Sequence, residues 1–534
     1  MPSGGVWPPK GHERAYLAYR DWDAWYVGDA ARLREVYTGR GSDGRPLPPS
    51  QWTPGGGGLF GRISRWLWGA PQNPNARDGR LHVPLPADLA ASVSRLLFAE
   101  PPKLTCDDPA SQARLEQLAE DGLHQVLLAA AEAASALGDV YLRPTIDQEV
   151  MPGRAFLTPI HADGAIPVMR WGRLTEVTFH SLVHIDGREY WRLLEHHSAG
   201  LVEYALFRGS PVDLGVRMPV QAHPTTAAVA GDLKDGVQYT GLNRLAVVRI
   251  RNTGPQRAWR NEPCLKYHGR SDFDGAEPLF DRFDAVWTSW MRDIHLARGR
   301  IMVPAQYLDS NGPGQGATFD ADREVYTTLQ AMPKDMTGSG ITLSQFAIRH
   351  VEHKATLDEI RGAVLLHVAL SEQTVGQEGD MAVTATEIES RERLSFANKG
   401  ARGGEWTTGA ADAVEVLTEL EYAQFGTTTP FRPYVQMSDG VSESLETVAR
   451  TVQLLHAAES ISLETRVRRV NPDWDDDQVK DEVARIREDQ AGGPVELAPP
   501  PADTLGALAG NEPPPAAGAG AEDGDPDDEE ATAA

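Results

Sequence analysis

Residues 277–301 read EPLFDRFDAVWTSWMRDIHLARGRI and carry a strong helical pattern. Apolar side chains recur at spacings of three and four, which marks one face of a helix; they are Leu279, Phe280, Phe283, Val286, Trp287, Trp290, Met291 and Ile294. The polar side chains take the other faces: Asp281, Arg282, Asp284, Ser289, Arg292 and Asp293. At about 1.5 Å per residue, such a helix runs roughly 34 Å. Taken alone, it is most simply a core helix of a large domain.

Upstream of this stretch the pattern changes from helix to strand. Residues 15–37 and 81–105 contain helical patterns, and a further helix is predicted over residues 111–137, ending at Gly138. Residues 140–252 then contain short apolar and aromatic segments separated by turn residues. This second pattern predicts a mostly antiparallel sheet. The expected fold class is therefore α+β.

Downstream, a glycine-rich segment with short strand-like pieces, residues 301–344, precedes a second long helix over residues 345–371. A polar loop over residues 372–385 leads into a helical region to about residue 426, which we expect to break near Gly400–Gly404. Residues 441–490 predict two or three helices, separated at Asn471 and Pro472. The Pro-, Ala-, Gly- and acid-rich residues 491–534 are expected to be disordered.

The charge balance argues against a protein that grips nucleic acid over a broad surface. The chain has 51 basic and 76 acidic residues, a net charge of −25. Ten of the acidic residues and none of the basic ones lie in residues 491–534, so the remainder still carries −25 + 10 = −15. No secretory leader or membrane span is expected. The two cysteines, Cys106 and Cys264, lack metal-site spacing and are expected to be reduced, buried residues.

No catalytic or metal-binding constellation stands out from the sequence. His350 and His353 lie one helical turn apart, but HVEH is not the HExxH spacing, and a solvated helix face is the better interpretation. Neither a cofactor nor a metal is expected. The carboxylates of Asp272, Asp274, Asp281 and Asp284 offer a hydrolase as an alternative. They cannot all share one helix face, and Asp281 and Asp284 are already explained as the polar side of the helix.

Five segments in fixed order carry a family resemblance. They are LHVPLPADLAASVSRLLFAEPPKL (81–104), GDVYLRP (138–144), GRSDFDGAEPLFDRFDAVWTSWMRDIHLARGRI (269–301), TATEIESRERLSFANKG (384–400) and ISLETRVRRVNPDWDDDQVKDEVARI (461–486). Together, over about residues 15–490, the chain resembles the portal proteins of tailed bacteriophages, of the type found in long-tailed phages of actinobacteria. Such proteins form a ring, usually of twelve subunits, at one capsid vertex, through which DNA is packaged and ejected.

The resemblance implies a division of the chain into the parts of a portal subunit. After an N-terminal arm, residues 1–14, it implies a wing over 15–276, stem helices over 277–300 and 345–371, a clip over 301–344, a tunnel loop over 372–385, a wing helix and connection over 386–440, and a crown over 441–490. The acidic tail, residues 491–534, extends past the crown-like region, and no role for it follows.

The resemblance also implies positions for the residues that matter. The DNA-facing residues of the tunnel loop would be Glu372, Gln373, Thr374, Gly376, Gln377, Glu378, Gly379, Asp380 and Met381. Stem cations that could line the tunnel are Arg349, Lys354 and Arg361, with surface salt bridges as the equal alternative. Stem packing would use Phe280, Phe283, Trp287 and Trp290. The charged remainder of the first stem helix would divide between subunit contacts and the tunnel wall: Asp281, Asp284, Arg292 and Asp293.

The implied partners are those of a non-enzymatic virion component that is assembled in the host cytoplasm. They are further copies of the chain in the ring, double-stranded DNA passing without sequence specificity, the terminase large subunit, a head-completion adaptor, and the major capsid and scaffolding proteins. No membrane is expected to be involved. The alternatives are a virion scaffold that does not bind DNA and the carboxylate-dependent hydrolase.

Overall fold

The computed structural model describes residues 1–2, 4–39, 41, 47–53, 80–230, 236–296, 300–302, 309–310, 317–318, 342–344, 348–372, 385–438, 445–471, 474 and 476–491. The chain divides into two compact units, residues 1–440 and 441–534. Most of the predicted tunnel loop and nearly all of the acidic tail lie outside the described residues. None of the helices in the described ranges is long and apolar enough to cross a membrane.

The first unit begins with helices packed around tryptophans. They are α1 (Glu13–Val27), α2 (Ala30–Thr38), α3 (Leu85–Phe98), α4 (Pro109–Glu120) and α5 (Leu123–Leu137). Trp22, Trp25 and Phe98 are fully buried among them. The single helix predicted over residues 111–137 is wrong, because Gly122 takes a left-handed conformation (φ 92°) and separates α4 from α5. Cys264 is exposed rather than buried, whereas Cys106 is half-buried.

Two antiparallel sheets follow, which confirms the strand prediction for residues 140–252. The strands are β2 (Asp139–Ile146), β3 (Ala155–His161), β4 (Ala165–Arg170), β5 (Arg173–Asp186), β6 (Glu189–Ser198), β7 (Leu201–Ser210), β8 (Asp213–Met218), β9 (Val237–Tyr239) and β10 (Val248–Arg251). One sheet has the order β10-β2-β3; the other runs β4-β5-β6-β7-β8, with β9 also paired to β7. A short β1 (Lys103–Thr105) pairs with β15 (Tyr434–Gln436) near the end of the unit.

Two long helices bracket a β-containing excursion. They are α7 (Glu277–Leu296) and α8 (His350–Val368); a short α6 (Pro224–Ala230) precedes them. Between them β11 (Arg300–Met302) pairs antiparallel with β14 (Thr342–Ser344), and β12 (Asp309–Ser310) pairs with β13 (Ala317–Thr318). Since Arg300 pairs with Ser344, the excursion leaves and returns at one place.

Helix α9 (Ala385–Phe425) is continuous over 41 residues. The predicted break near Gly400–Gly404 is therefore wrong. Although glycine weakens a helix interior, buried side chains within and after this segment, including Arg402, Trp406 and Val414, hold the backbone in helical geometry.

The second unit contains three helices within its described residues, which confirms the prediction of two or three. They are α10 (Leu445–Ala457), α11 (Leu463–Val470) and α12 (Asp476–Ala491). The side chain of Ser462 caps α11 by accepting from the Thr465 amide, and α11 ends before Asn471. Val467, Val479 and Val483 form a small core between α11 and α12.

Candidate functional site

Helices α7 and α8 lie side by side and run in opposite directions. Near the start of α7, the Asp274 carbonyl oxygen lies 3.1 Å from Nε2 of His367, in the last turn of α8. Near the end of α7, Asp293 accepts from Arg349 and contacts His353 at the start of α8. The pair is therefore an antiparallel hairpin, and the excursion joins its far end.

One end of this hairpin is rooted in the main core. Phe280 of α7 and Val364, Leu365 and Val368 of α8 are buried in the same hydrophobic cluster as Trp22 and Trp25. The opposite end is more open: in the first half of α8 only Leu357 is buried, whereas Val351 is 62% exposed. The hairpin is therefore fixed at its root and exposed at the end that carries the short strands β11–β14.

One face of α7 is polar and is hydrogen-bonded to residues near the N-terminus. We call Glu277, Asp281, Asp284 and Thr288 the polar seam, because their spacing of three and four places them on one helix face. Its contacts are Trp22 Nε1 donating to Glu277 (2.8 Å), Ser50 Oγ donating to Asp281, the Val83 amide donating to Asp284 (3.0 Å), and the Leu81 amide donating to Thr288 (3.0 Å). His82 Nδ1 also lies 2.8 Å from Asp284.

The polar seam corrects the expectation for two of its residues. Asp281 and Asp284 are buried, 5% and 1% exposed, so they belong neither to a solvated helix side nor to a tunnel wall. Burial raises the pKa of Asp281 to about 6 and that of Glu277 to about 7. It also raises the pKa of Asp284, although His82 opposes the effect. Burial in the polar seam therefore disfavours the charged form of these three carboxyl groups.

The predicted packing residues divide into two groups. Phe280 and Phe283 are buried at the root of the hairpin. Trp287 and Trp290 are half-buried and stack on each other, with ring centroids 5.2 Å apart. Trp290 also stacks on His353 at 6.1 Å. The interpretation of His353 as part of a solvated face is therefore wrong, because an indole ring and a carboxylate cover it.

The three predicted stem cations have different surroundings. Arg349 is 63% exposed and donates to Asp293, while Arg361 donates to Asp358 on its own helix. Lys354 is exposed. Burial raises the pKa of Asp293, but hydrogen bonds from His353 and Arg349 outweigh it and leave that pKa below its ordinary value. Asp293 is thus the acid that both basic groups at the far end share.

Of the predicted tunnel loop, the structure describes only the residues at its two ends. Glu372 is exposed, whereas the positions predicted after it lie outside the described residues: Gln373, Thr374, Gly376, Gln377, Glu378, Gly379, Asp380 and Met381. Its flanks are joined, because the Ser371 amide donates to Ser395 Oγ (2.8 Å) and Asn398 Nδ2 donates to the Val368 carbonyl (2.9 Å). The end of α8 is therefore bonded directly to α9.

The carboxylates of the hydrolase alternative are dispersed among different partners. Asp272 is held by Arg402, Asp281 by Ser50, and Asp284 by His82 and Val83. Within the described residues, no group of three or more His, Cys, Asp or Glu side chains could hold a metal ion. The geometry therefore gives this alternative no support.

Sequence reasoning missed a buried ion pair behind the root of the hairpin. Arg402 of α9 donates to both oxygens of Asp272 at 2.8 and 2.9 Å, and also to Asn252 Oδ1. Ser135 Oγ donates to Asp272 at 2.6 Å. The sequence marks Asp272 only as one carboxylate of the hydrolase alternative, and no sequence signal connects it with an arginine 130 positions away.

The overall arrangement is a core with a helical hairpin, a β-containing excursion at its far end, and a 41-residue helix bonded to its root. A sequence model of the family described as phage portal protein, SPP1 Gp6-like, matches residues 9–493. The chain belongs to this phage portal protein family. The resemblance inferred from five segments is thereby confirmed.

Two solved structures show a remote similarity to this portal family member. One is described as the virion of a native gene transfer agent (GTA) particle: it is 13% identical, covers 82% of this chain and 98% of its own, and has a TM-score of 0.37. The other is described as the neck of a native GTA particle computed with C12 symmetry. It is 13% identical, the match covers 77% of this chain and 92% of that structure's chain, and the TM-score is 0.35. No significant match to a curated protein was found.

The family is one of structural proteins. The α+β prediction is confirmed as well, because helices and antiparallel sheets both contribute to the portal fold.

Proposed function

We propose that the chain is the ring-forming portal subunit at one capsid vertex and that twelve copies surround a channel for double-stranded DNA. The observation that carries this proposal is the α7–α8 hairpin, rooted in the core and exposed toward the excursion. Such hairpins, set side by side around an axis, would form a continuous helical wall. Glu372 and the positions after it would then lie on the channel side, as the tunnel loop.

The charge of the chain suits transport rather than tight binding. DNA that moves through a channel must not be held by its phosphates, and a body with a net charge of −15 outside the tail repels them. At the far end of the hairpin Asp293 pairs with Arg349, and on α8 Asp358 pairs with Arg361, which reduces the phosphate attraction of both arginines. Lys354 is then the stem cation best suited to guide DNA.

The other predicted parts supply the contacts of assembly. The excursion 301–344, held at its base by β11 and β14, would act as the clip that binds the terminase large subunit and later the head-completion adaptor. The wing would contact the major capsid and scaffolding proteins. The chain would assemble in the host cytoplasm and remain in the virion, and terminase, rather than this chain, would hydrolyse ATP.

Negative-stain electron microscopy of the purified protein tests the proposal directly. We expect rings with a central hole, and mass photometry should give a mass near twelve times 58.1 kDa. A monodisperse monomer under the same conditions, above all one with metal-dependent hydrolase activity, contradicts the proposal. Rings that never support DNA packaging with the cognate terminase would favour a scaffold that does not bind DNA.

A further inference from the structure

The turn between β4 and β5 exposes a tryptophan. Arg170 pairs with Arg173 across the ladder, so Trp171 and Gly172 form a two-residue turn. We call residues 170–173 the hairpin tip. Trp171 is 90% exposed, more than any other large apolar side chain in the described parts of the chain. An indole in water loses the burial that normally stabilises it, so this exposure calls for an explanation.

The backbone of the hairpin tip is also unfavourable for a bulky residue. Trp171 has φ 54° and Gly172 has φ 82°, both in the left-handed region. Such turns normally use Asn or Gly at the first position, because a large side chain is strained there. The other two-residue turns of this sheet have smaller residues at the first position, namely Gly187, Ala199 and Pro211. Strain together with full exposure points to a role outside the isolated chain.

The hairpin tip carries positive charge. Arg170 and Arg173 flank the indole and are exposed, and no carboxylate of the described residues forms an ion pair with either. Gly172 lies against Tyr267, and the Lys266 amine sits 4.8 Å from the centroid of that ring. In a chain with net charge −25 the hairpin tip is therefore a local positive surface. Trp and Arg are also the residues most enriched at the energetic centres of protein interfaces.

A cavity of complementary charge lies elsewhere on the same unit, between α4 and the residues that follow α9. Its volume is about 520 Å³, and its lining includes Asp108, Glu116, Glu120 and the hydroxyls of Thr427–Thr429. Arg114 in its wall is neutralised by Glu421 at 2.5 Å, so the three carboxylates set its charge. The volume falls within the range of about 300–1,000 Å³ that accommodates a compact ligand such as an indole side chain.

We propose that the hairpin tip of one subunit docks into this cavity of a second copy of the chain. Trp171 enters the cavity, and Arg170 and Arg173 pair with the carboxylates at its rim, as guanidinium groups do when they bind carboxylates with two hydrogen bonds. Because tip and cavity are different surfaces, the contact is head-to-tail, the type from which rings are built when the rotation between copies closes. The proposal rests on the ring-forming function and specifies one contact within it.

Site-specific photocrosslinking tests this contact while keeping an aromatic group at position 171. Trp171 is replaced by p-benzoylphenylalanine, a 1:1 mixture of ¹⁵N-labelled and unlabelled protein is assembled and irradiated, and the crosslinked peptides are identified by mass spectrometry. We expect crosslinks between labelled and unlabelled chains that join residue 171 to residues 108–120 or 427–429. The matched control places the same probe at Val212, a 71% exposed turn residue at the opposite end of the sheet, and should give no such crosslink.

Charge reversal tests the same contact by a second route. The double variants R170E/R173E and E116R/E120R should each lower the crosslinking yield about tenfold, the effect expected when roughly 1.4 kcal/mol of binding is lost. Combining all four changes in one chain should restore the yield. Unchanged melting temperatures would show that the exposed substitutions leave the fold intact.

The outcomes separate this inference from the proposed function. Rings that lack the crosslink from residue 171 to the cavity overturn the inference and leave the portal assignment intact. Crosslinks to other segments of the chain, or to a different protein, overturn it as well. Failure of the unmodified protein to form rings contradicts the proposed function itself.

Discussion

At the scale of single residues, the buried pair of Asp272 with Arg402 joins two distant parts of the first unit. The two side chains are 2% and 4% exposed and share two hydrogen bonds. Asp272 lies just before α7, and Arg402 lies in the middle of α9. The pair thereby fixes the entry to the hairpin against the long helix.

The first prediction concerns the loss of this pair. Arg402→Ala leaves the Asp272 carboxylate buried without its countercharge, which should lower the free energy of unfolding by about 3–5 kcal/mol. Guanidinium chloride denaturation measures the loss. The matched control is Arg432→Ala, which breaks the largely exposed pairs with Asp412 and Glu415 and should cost about 1 kcal/mol or less. Equal losses in the two variants would contradict the assigned role, whereas adding Asp272→Asn to Arg402→Ala should recover part of the stability.

At the scale of elements, α9 shows how glycine acts according to its surroundings. A Cβ added at Gly409 would lie 2.5 Å from Cγ1 of Ile250, a strand residue that is 1% exposed. A Cβ added at Gly404 would meet nothing within 4 Å. The absence of a side chain is therefore required for packing at Gly409 and is neutral for packing at Gly404.

The second prediction uses these two glycines as a matched pair. Gly404→Ala should raise the free energy of unfolding by about 0.5–1 kcal/mol, because alanine favours a helix interior and packs without a clash. Gly409→Ala should lower it by about 1–3 kcal/mol, since Ile250 has no room to move. Thermal and chemical denaturation of both variants measures the difference. If Gly409→Ala stabilises the protein as Gly404→Ala does, the packing of α9 on β10 is wrong.

The third prediction concerns the polar seam of α7 and pH. Burial raises the pKa of Glu277 from 4.5 to about 7, so between these values the folded chain binds more protons than the unfolded chain. Stability from this group is therefore full below about pH 4.5 and is lost as the pH rises toward 7. Glu277→Gln should reduce this fall in the free energy of unfolding by about 1–3 kcal/mol between about pH 4.5 and 7. Denaturation midpoints at pH 4.5–7.5 measure it.

Asp293→Asn provides the control of opposite sign. Because its pKa is lowered, Asp293 contributes stability above the ordinary pKa of an aspartate and loses it as the pH falls through its lowered value. The free energy of unfolding of the variant should therefore be lower than that of the parent protein at pH 7, and the two should become similar in acid. A Glu277→Gln variant whose pH profile matches that of the parent protein would show that the seam carboxyl does not titrate in this window.

At the scale of the whole molecule, the hairpin separates the core from the excursion. Met302 pairs with Thr342 at the base of the excursion, and the helices on either side contact each other directly, Asp293 with Arg349 and Trp290 with His353. The excursion can thus be removed at a defined ladder position.

The fourth prediction follows from this geometry. Replacing residues 303–341 with Asn-Gly joins paired residues by the shortest favoured hairpin turn. We expect the variant to fold and to form rings, because core and hairpin are unchanged, but to lose terminase-dependent DNA packaging. Electron microscopy checks the rings, and nuclease protection of packaged DNA checks the activity. Full packaging by rings of this variant would place the terminase contact elsewhere.

Much of the fold could be predicted from local pattern. The spacing of Phe280, Phe283, Trp287 and Trp290 predicts α7, and turn residues between apolar segments predict the antiparallel sheets. Glycine predicts helix ends poorly in this chain, because its effect on a helix depends on the residues that surround it. Gly122 ends a helix in the left-handed conformation, whereas the glycines near residue 402 remain inside one.

Local pattern alone specifies the long helix over residues 277–296 and the membership of the portal family, because periodicity and ordered segments are local properties. What each face of that helix contacts follows only from the folded chain. The donors to Glu277, Asp281 and Asp284 come from residues more than 200 positions away, at Trp22, Ser50 and Val83. A carboxylate can be buried when such donors reach it, and no local pattern records which distant segments will supply them.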